Sequence, residues 1–265
     1  MIRSLLVLFA ASLALFFVLL TPTTAVARNA ILNVNGQNFY VETVGVSGPP
    51  IVFEAGLGNE ISTWRLVSGP VSAFAKPVLY DRAGLGQSLP MMTKGAVTAD
   101  EVVTNLHALL ATADIRPPYI LVGHSLGGLY VQLYARKYPM EVSGMVLLDS
   151  SSVDAPPELK TRARLEPGSA ALLEEEGVTE SNEQVRNAGP FPDIPLTVIA
   201  ATDHGPFFKD WERTLIRLQH QLAKLSLRSR FVIAQGSGHD IQLEHPEIVI
   251  DALKQMVAEI ALYRP

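Results

Sequence analysis

Gly123-His124-Ser125-Leu126-Gly127 carries the clearest chemical content in this 265-residue sequence. A serine hydroxyl is a weak nucleophile until a base takes its proton. What makes this serine a candidate is its setting. The apolar run Tyr119-Ile120-Leu121-Val122 before it reads as a buried strand. Leu126 to Tyr138 after it reads as a helix, ended by Pro139. Strand, tight turn and helix is the context in which G-x-S-x-G lifts a serine above the edge of a sheet. The flanking positions must be small, and Gly123 and Gly127 meet that need. The N–H of Leu126, first in the helix, points at negative charge developing on a substrate. The plain alternative is a bystander serine in a glycine-rich turn, and the context argues against it.

The partners of such a serine follow it in the order acid, then histidine. His204, His220, His239 and His245 all lie beyond Ser125. His220 falls inside an amphipathic helical pattern and reads as a surface residue. His245 precedes Pro246 at a helix start. His239, in Gln235-Gly236-Ser237-Gly238-His239, follows the strand pattern Arg230 to Ala234 directly. That loop lies at the same sheet edge as Ser125, so His239 is the expected general base. Two acids end strands at that edge: Asp149 after Ser143–Leu148, and Asp203 after Ile194–Ala200. Either could accept the His239 N–H and hold its tautomer. A second oxyanion donor is expected from the Gly-rich loop Glu54-Ala55-Gly56-Leu57-Gly58-Asn59, whose backbone can approach a substrate oxygen closely.

These residues need a scaffold, and the rest of the chain describes one. Ala30 to Val44 reads as a hairpin turning at Asn35-Gly36. Short apolar strands follow at Pro50–Glu54 and Lys76–Asp81. Thr98 to Ala113 has helical spacing, with Thr98-Ala99-Asp100-Glu101 as a capping box. Helices are also expected over Phe207 to Ser226 and Pro246 to Leu262. Strands alternating with helices predict an α/β fold: a mostly parallel sheet covered on both faces, with the hairpin as an antiparallel edge. Residues 152–193 break the alternation and are rich in charge, Pro and Ala. They read as a short helical lid inserted over the C-terminal edge of the sheet, with Leu159, Leu165, Leu172, Leu173 and Phe191 as its apolar positions. Trp64 and Phe207 are candidates to line a pocket, although each type more often packs in a core.

Composition narrows the function classes. Hydrophobic residues make up 48% and charged residues 18%, which excludes disorder as the main state. A net charge of −5 speaks against a dedicated nucleic-acid binder. With no cysteine there is no disulfide, thiolate metal site or thiol nucleophile. Met1-Ile2-Arg3, the apolar run Leu5 to Leu20 and Ala25-Val26-Ala27 form the pattern of an export signal, with cleavage expected after Ala27. The expected organisation is therefore a signal peptide over 1–27 and one domain over 28–265. Cleavage removes one Arg and no acid, leaving a net charge of −6. The protein is expected outside the cytoplasm, periplasmic or secreted. An uncleaved segment would instead anchor it, and that is the one route expected to membrane contact.

Gly123-His124-Ser125-Leu126-Gly127-Gly128, Tyr80-Asp81-Arg82-Ala83-Gly84-Leu85-Gly86-Gln87-Ser88, Asp149 and Gly236-Ser237-Gly238-His239 together resemble the α/β-hydrolase family over residues 30 to 262. The resemblance implies Ser125 as nucleophile, His239 as base, and the backbone N–H groups of Leu57 and Leu126 as oxyanion donors. The chain departs from the family pattern twice. Ala55-Gly56 stands where a His-Gly pair is usual, so hydrogen bonding inside that loop must differ. At the commonest position for the acid stands His204, with Asp203 one residue early. Some members carry the acid at the end of the preceding strand, which matches Asp149. Asp149 is therefore preferred and Asp203 is the alternative. A serine at the elbow speaks against the dehalogenase and epoxide-hydrolase branches, which use Asp there. No metal or organic cofactor is implied. The expected activity is hydrolysis of a small ester, less readily an amide, through an acyl-enzyme. An acyltransferase or C–C hydrolase on the same triad, and a low-turnover binding or sensor protein of the same fold, are the alternatives.

Overall fold

The structure, a computed structural model, describes residues 27–45, 47–159 and 165–262. The export-signal segment therefore lies outside the described residues, apart from Ala27 at its end. Among the described residues, eight strands form one sheet: β1 (Ala27–Val34), β2 (Gln37–Val44), β3 (Pro50–Glu54), β4 (Lys76–Tyr80), β5 (Tyr119–His124), β6 (Val142–Leu148), β7 (Leu196–Ala201) and β8 (Ser229–Ala234). Their spatial order is β1-β2-β4-β3-β5-β6-β7-β8. β2 pairs antiparallel with β1 and with β4. Every other neighbouring pair is parallel. The order reverses around β3, with β4 on one side and β5 on the other. The crevice at the carboxyl ends of strands at such a switch point is where open α/β sheets bind ligands.

The described α-helices around the sheet are α1 (Arg65–Val71), α2 (Ala99–Thr112), α3 (Leu126–Lys137), α4 (Ala170–Glu176), α5 (Val178–Asn187), α6 (Glu212–Ala223), α7 (Ile241–Glu244) and α8 (Pro246–Leu262). Alternation along each strand sends neighbours to opposite faces. Ile51, Phe53, Ile120 and Val122 pack with Val67 and Val71 of α1 and with Val249, Leu253 and Met256 of α8. Val52, Leu121, Met145 and Leu147 pack on the other face with Leu106, Leu110, Leu129 and Leu133 of α2 and α3. Strands buried on both faces are near-continuous apolar runs, as β5 and β6 are. Each fully buried Leu, Ile or Val contributes about 1.5–3 kcal/mol, so this scaffold is the rigid part on which the loops are mounted.

Several expectations shift in detail. Thr98 is the N-cap of α2, but its side chain makes no capping bond. Glu101, the other half of the expected box, accepts instead from the Thr93 hydroxyl. α5 takes over the capping: Ser181 Oγ accepts from Ala99 N–H and Gln184 Oε1 from Asp100 N–H, both at 2.8 Å. The helix expected from Phe207 to Ser226 begins as a 3-10 segment at Pro206–Trp211, and the α-helix starts at Glu212. Trp64 is buried against Phe53 with ring centroids 5.0 Å apart, so it is a core residue. Phe207 is 76% exposed. In the stretch 152–193, α4 meets the loops that follow β3 and β4, and α5 packs on α2 and α3.

Candidate active site

The strand-to-helix turn at Ser125 is as tight as the motif requires. Ser125 has φ 52° and ψ −122°, a left-handed conformation that costs a non-glycine residue free energy of order 1–3 kcal/mol. Hydrogen bonds hold it there. Its N–H donates to Leu148 O at 3.1 Å, and its carbonyl accepts from Gly128 N–H and Ser151 N–H at 3.0 and 2.9 Å. Glycine at 127 is obligatory because the helix meets the end of β3 and the loop after it here. A Cβ on that residue would lie 2.4 Å from both the Glu54 and Ala55 carbonyl oxygens.

His239 stands on the loop after β8, 45% exposed, with Nδ1 2.6 Å from Asp149 Oδ2. Asp149 follows β6 and is buried. Asp203, the other acid considered, is exposed and accepts the Gly205 N–H in a local turn at 3.1 Å. The structure thus brings Asp149, and not Asp203, to His239. Burial disfavours the charged form of Asp149. Hydrogen bonds from His204 and His239 outweigh that and hold its carboxyl well below the usual carboxylate range.

His124, the residue before Ser125, ties the elbow to this pair. It is buried, and its Nε2 lies 3.0 Å from the His239 carbonyl oxygen, so Nε2 carries the proton and donates. Nδ1 is then free to accept from Gln242 Nε2 at 3.4 Å. Burial, with the nearby His239, pushes the His124 imidazole down to about 3, so it stays neutral. A charged ring there would repel a protonated His239, so the neutral tautomer suits a positioning role. Of the other histidines, His220 stacks on Phe231 at 3.7 Å and His245 bonds Glu247 at 3.1 Å, away from this group.

Comparison with known proteins converges on one family. Residues 49–171 match the model of the α/β-hydrolase fold. The uncharacterized protein YqjL of Bacillus subtilis is 32% identical over 214 residues, spanning 77% of this chain and 82% of that protein. The chain belongs to the α/β-hydrolase family. The (lyso)-N-acylphosphatidylethanolamine lipase of Homo sapiens is 36% identical over 104 residues, 38% of this chain and 30% of that protein. The enol-lactonase of Burkholderia xenovorans superposes with a TM-score of 0.66 at 19% identity, covering 86% of this chain and 100% of that one.

This α/β-hydrolase carries, beside Asp149, a residue to which the sequence assigned no role. His204 Nε2 lies 2.7 Å from Asp149 Oδ2, the same oxygen that faces His239. Its Nδ1 lies 3.0 and 3.1 Å from the two Glu212 oxygens, and its backbone N–H donates to Glu212 Oε1. Burial opposes its charge, but the carboxylates of Asp149 and Glu212 push the ring up to about 9. His204 is therefore an imidazolium near neutral pH, with both N–H groups donating. Its only sequence signal was its place where the family usually has an acid.

Asp149, His204 and His239 have ligand-type atoms within 4.8 Å of one another. They do not suit a metal ion. Both His204 nitrogens face carboxylate oxygens and donate, which leaves no lone pair for a cation.

Because the His204 value is raised from 6.5 to about 9, its charge contributes stability in full below about pH 6.5. That contribution is lost as pH rises through about 9. The thermal midpoint is expected to fall across pH 7 to 9.5, and His204→Gln is expected to flatten this slope. Equal slopes in the two proteins would contradict the assignment.

Proposed function

We propose that this α/β-hydrolase is a serine esterase in which Ser125, His239 and Asp149 form the catalytic triad. The supporting observation is the strained Ser125 elbow, tied through His124 to the backbone of a histidine that a buried acid orients. Ser125 Oγ attacks the ester carbonyl while His239 Nε2 takes its proton. Asp149, bonded to Nδ1, holds the tautomer and stabilises the imidazolium. The backbone N–H groups of Leu57 and Leu126 stabilise the tetrahedral oxyanion. His239 then protonates the leaving alcohol, and the acyl group remains on Ser125. Water, deprotonated by His239, attacks the acyl-enzyme and releases the acid. No step requires a cofactor.

The lipase and lactonase activities named for the two relatives are both ester cleavages, which supports an ester over an amide. The substrate is a small molecule. The N-terminal signal pattern supports a location outside the cytoplasm, with a mature chain that begins at Arg28 after cleavage. Among the described residues no helix is long and apolar enough to cross a membrane.

A p-nitrophenyl ester series from acetate to palmitate tests the reading. Turnover with an optimum along the series is expected, and the optimum sizes the acyl site. A folded protein that hydrolyses no member of the series would contradict it.

A further inference from the structure

The Tyr80–Ser88 motif and the Glu174-Glu175-Glu176 run have no part in the triad, yet they meet in a buried charged cluster. Arg82, Glu54 and Glu174 are all buried. Arg82 has five N–H donors, and all five are engaged. Nε donates to Glu174 Oε1 at 2.6 Å, and Nη2 to Glu174 Oε2 at 2.9 Å. Nη1 donates to Glu54 Oε1 and to the Ala55 carbonyl, both at 2.7 Å. Nη2 also donates to the Gly56 carbonyl at 2.6 Å. Glu54 is further held by the Tyr80 hydroxyl, and Arg82 sits over the Tyr130 ring at 5.6 Å.

The Gly56 carbonyl belongs to the same peptide unit as the Leu57 N–H. In a trans peptide the two point in opposite directions. Gripping Gly56 O from the Arg82 side, with Asn59 N–H as a second donor at 3.1 Å, turns the Leu57 N–H the other way. Among the described residues the Leu57 N–H has no protein acceptor. Glu174 closes the arrangement from α4, where its Oε2 accepts the next N–H in the loop, that of Gly58, at 2.9 Å. The start of this loop lies against the first turn of α3 beside Ser125, as the tight contact at Gly127 shows.

We infer that Arg82 and Glu174 are positioning residues for the oxyanion hole, fixing the Gly56–Leu57 peptide so that its N–H is presented to the substrate oxygen. The inference rests on the serine-esterase reading. It also answers the missing histidine at position 55: the guanidinium holds this loop from behind. Because Glu174 lies on α4, the helix beside the site is a fixed wall of the oxyanion loop and not a flap that swings free of it.

Arg82→Lys keeps the charge but offers three donors in place of a planar five-donor fork. Glu174→Gln keeps the shape and an acceptor for Gly58 N–H but removes the charge. The readouts are kcat and KM on p-nitrophenyl butyrate, the inhibition constant of a trifluoromethyl ketone, whose adduct oxygen occupies the oxyanion site, and near-UV circular dichroism for folding. Arg82→Lys is expected to lower kcat on the order of a hundredfold, with KM within about threefold. Ketone affinity should weaken by a similar factor. Glu174→Gln should do the same to a smaller extent, about tenfold. If Arg82→Lys does not fold, Glu174→Gln decides alone. Folded variants with kcat within about twofold of wild type, or with lost turnover but unchanged ketone affinity, would overturn the inference. A wild-type protein that turns over no ester and takes no fluorophosphonate on Ser125 would instead remove the serine-esterase reading beneath it.

Discussion

Ser125→Ala is expected to lower kcat by roughly 10⁵-fold or more while leaving KM within a few-fold, because the nucleophile acts in the chemical step and not in ground-state binding. The loss should not come from unfolding. The Ser125 side chain makes no capping bond to α3, so its hydroxyl has no structural duty there. The backbone supplies an independent check. A residue at φ 52°, ψ −122° is strained, and the strain is relieved by glycine. Ser125→Gly is therefore expected to be inactive and yet more stable, by about 1 kcal/mol. A serine that merely filled a turn would show neither the kinetic loss nor the trade of stability for activity. Ester turnover by Ser125→Ala at even a tenth of the wild-type rate would remove Ser125 from the chemistry.

Asp149→Asn is expected to cost on the order of 10⁴-fold in kcat, and Asp203→Asn less than about threefold. The asymmetry follows from position. Asp149 Oδ2 faces both His239 Nδ1 and His204 Nε2, whereas Asp203 is turned to the Gly205 N–H. An Asn at 149 has no negative charge to stabilise the imidazolium that forms during attack, and its amide can favour the wrong histidine tautomer. The same substitution removes a charge that the fold depends on. A carboxylate held well below its usual range contributes stability above about pH 4, and loses it progressively as pH falls through the depressed folded value. The acid-side slope of thermal stability should therefore be shallower in Asp149→Asn than in the wild type. A large kinetic loss in Asp203→Asn with an active Asp149→Asn would reverse the assignment.

The sheet and the chain order of the site were legible because their signals are local. β5 is an apolar run and α3 begins at once after Ser125, so five residues specify both the turn and the direction of its side chain. The hairpin at Asn35-Gly36 and the helix Pro246–Leu262 appear where turn chemistry and periodicity place them. What stayed hidden depends on contacts between distant segments. Ser181 and Gln184 cap α2 from α5, some eighty residues away, and no local pattern announces that. In the run Glu174-Glu175-Glu176 the helical period turns Glu174 inward to Arg82 and leaves Glu176 exposed, which composition alone does not distinguish. Arg82 stands in a motif that carries the family likeness, but its five acceptor oxygens come from β3, the loop after it and α4. His204 and Glu212 form a pair only because the chain turns through the 3-10 segment before α6.

In the proposed reaction an acyl group passes through Ser125. Rapid acid quench of the protein during turnover of p-nitrophenyl acetate, followed by proteolysis and peptide mass mapping, tests it most directly. One added acetyl group is expected on the peptide that contains Ser125, absent in Ser125→Ala and accumulating when deacylation is slowed at low pH. Sustained turnover with the acetyl group on another side chain, or on none under conditions that slow deacylation, would contradict it.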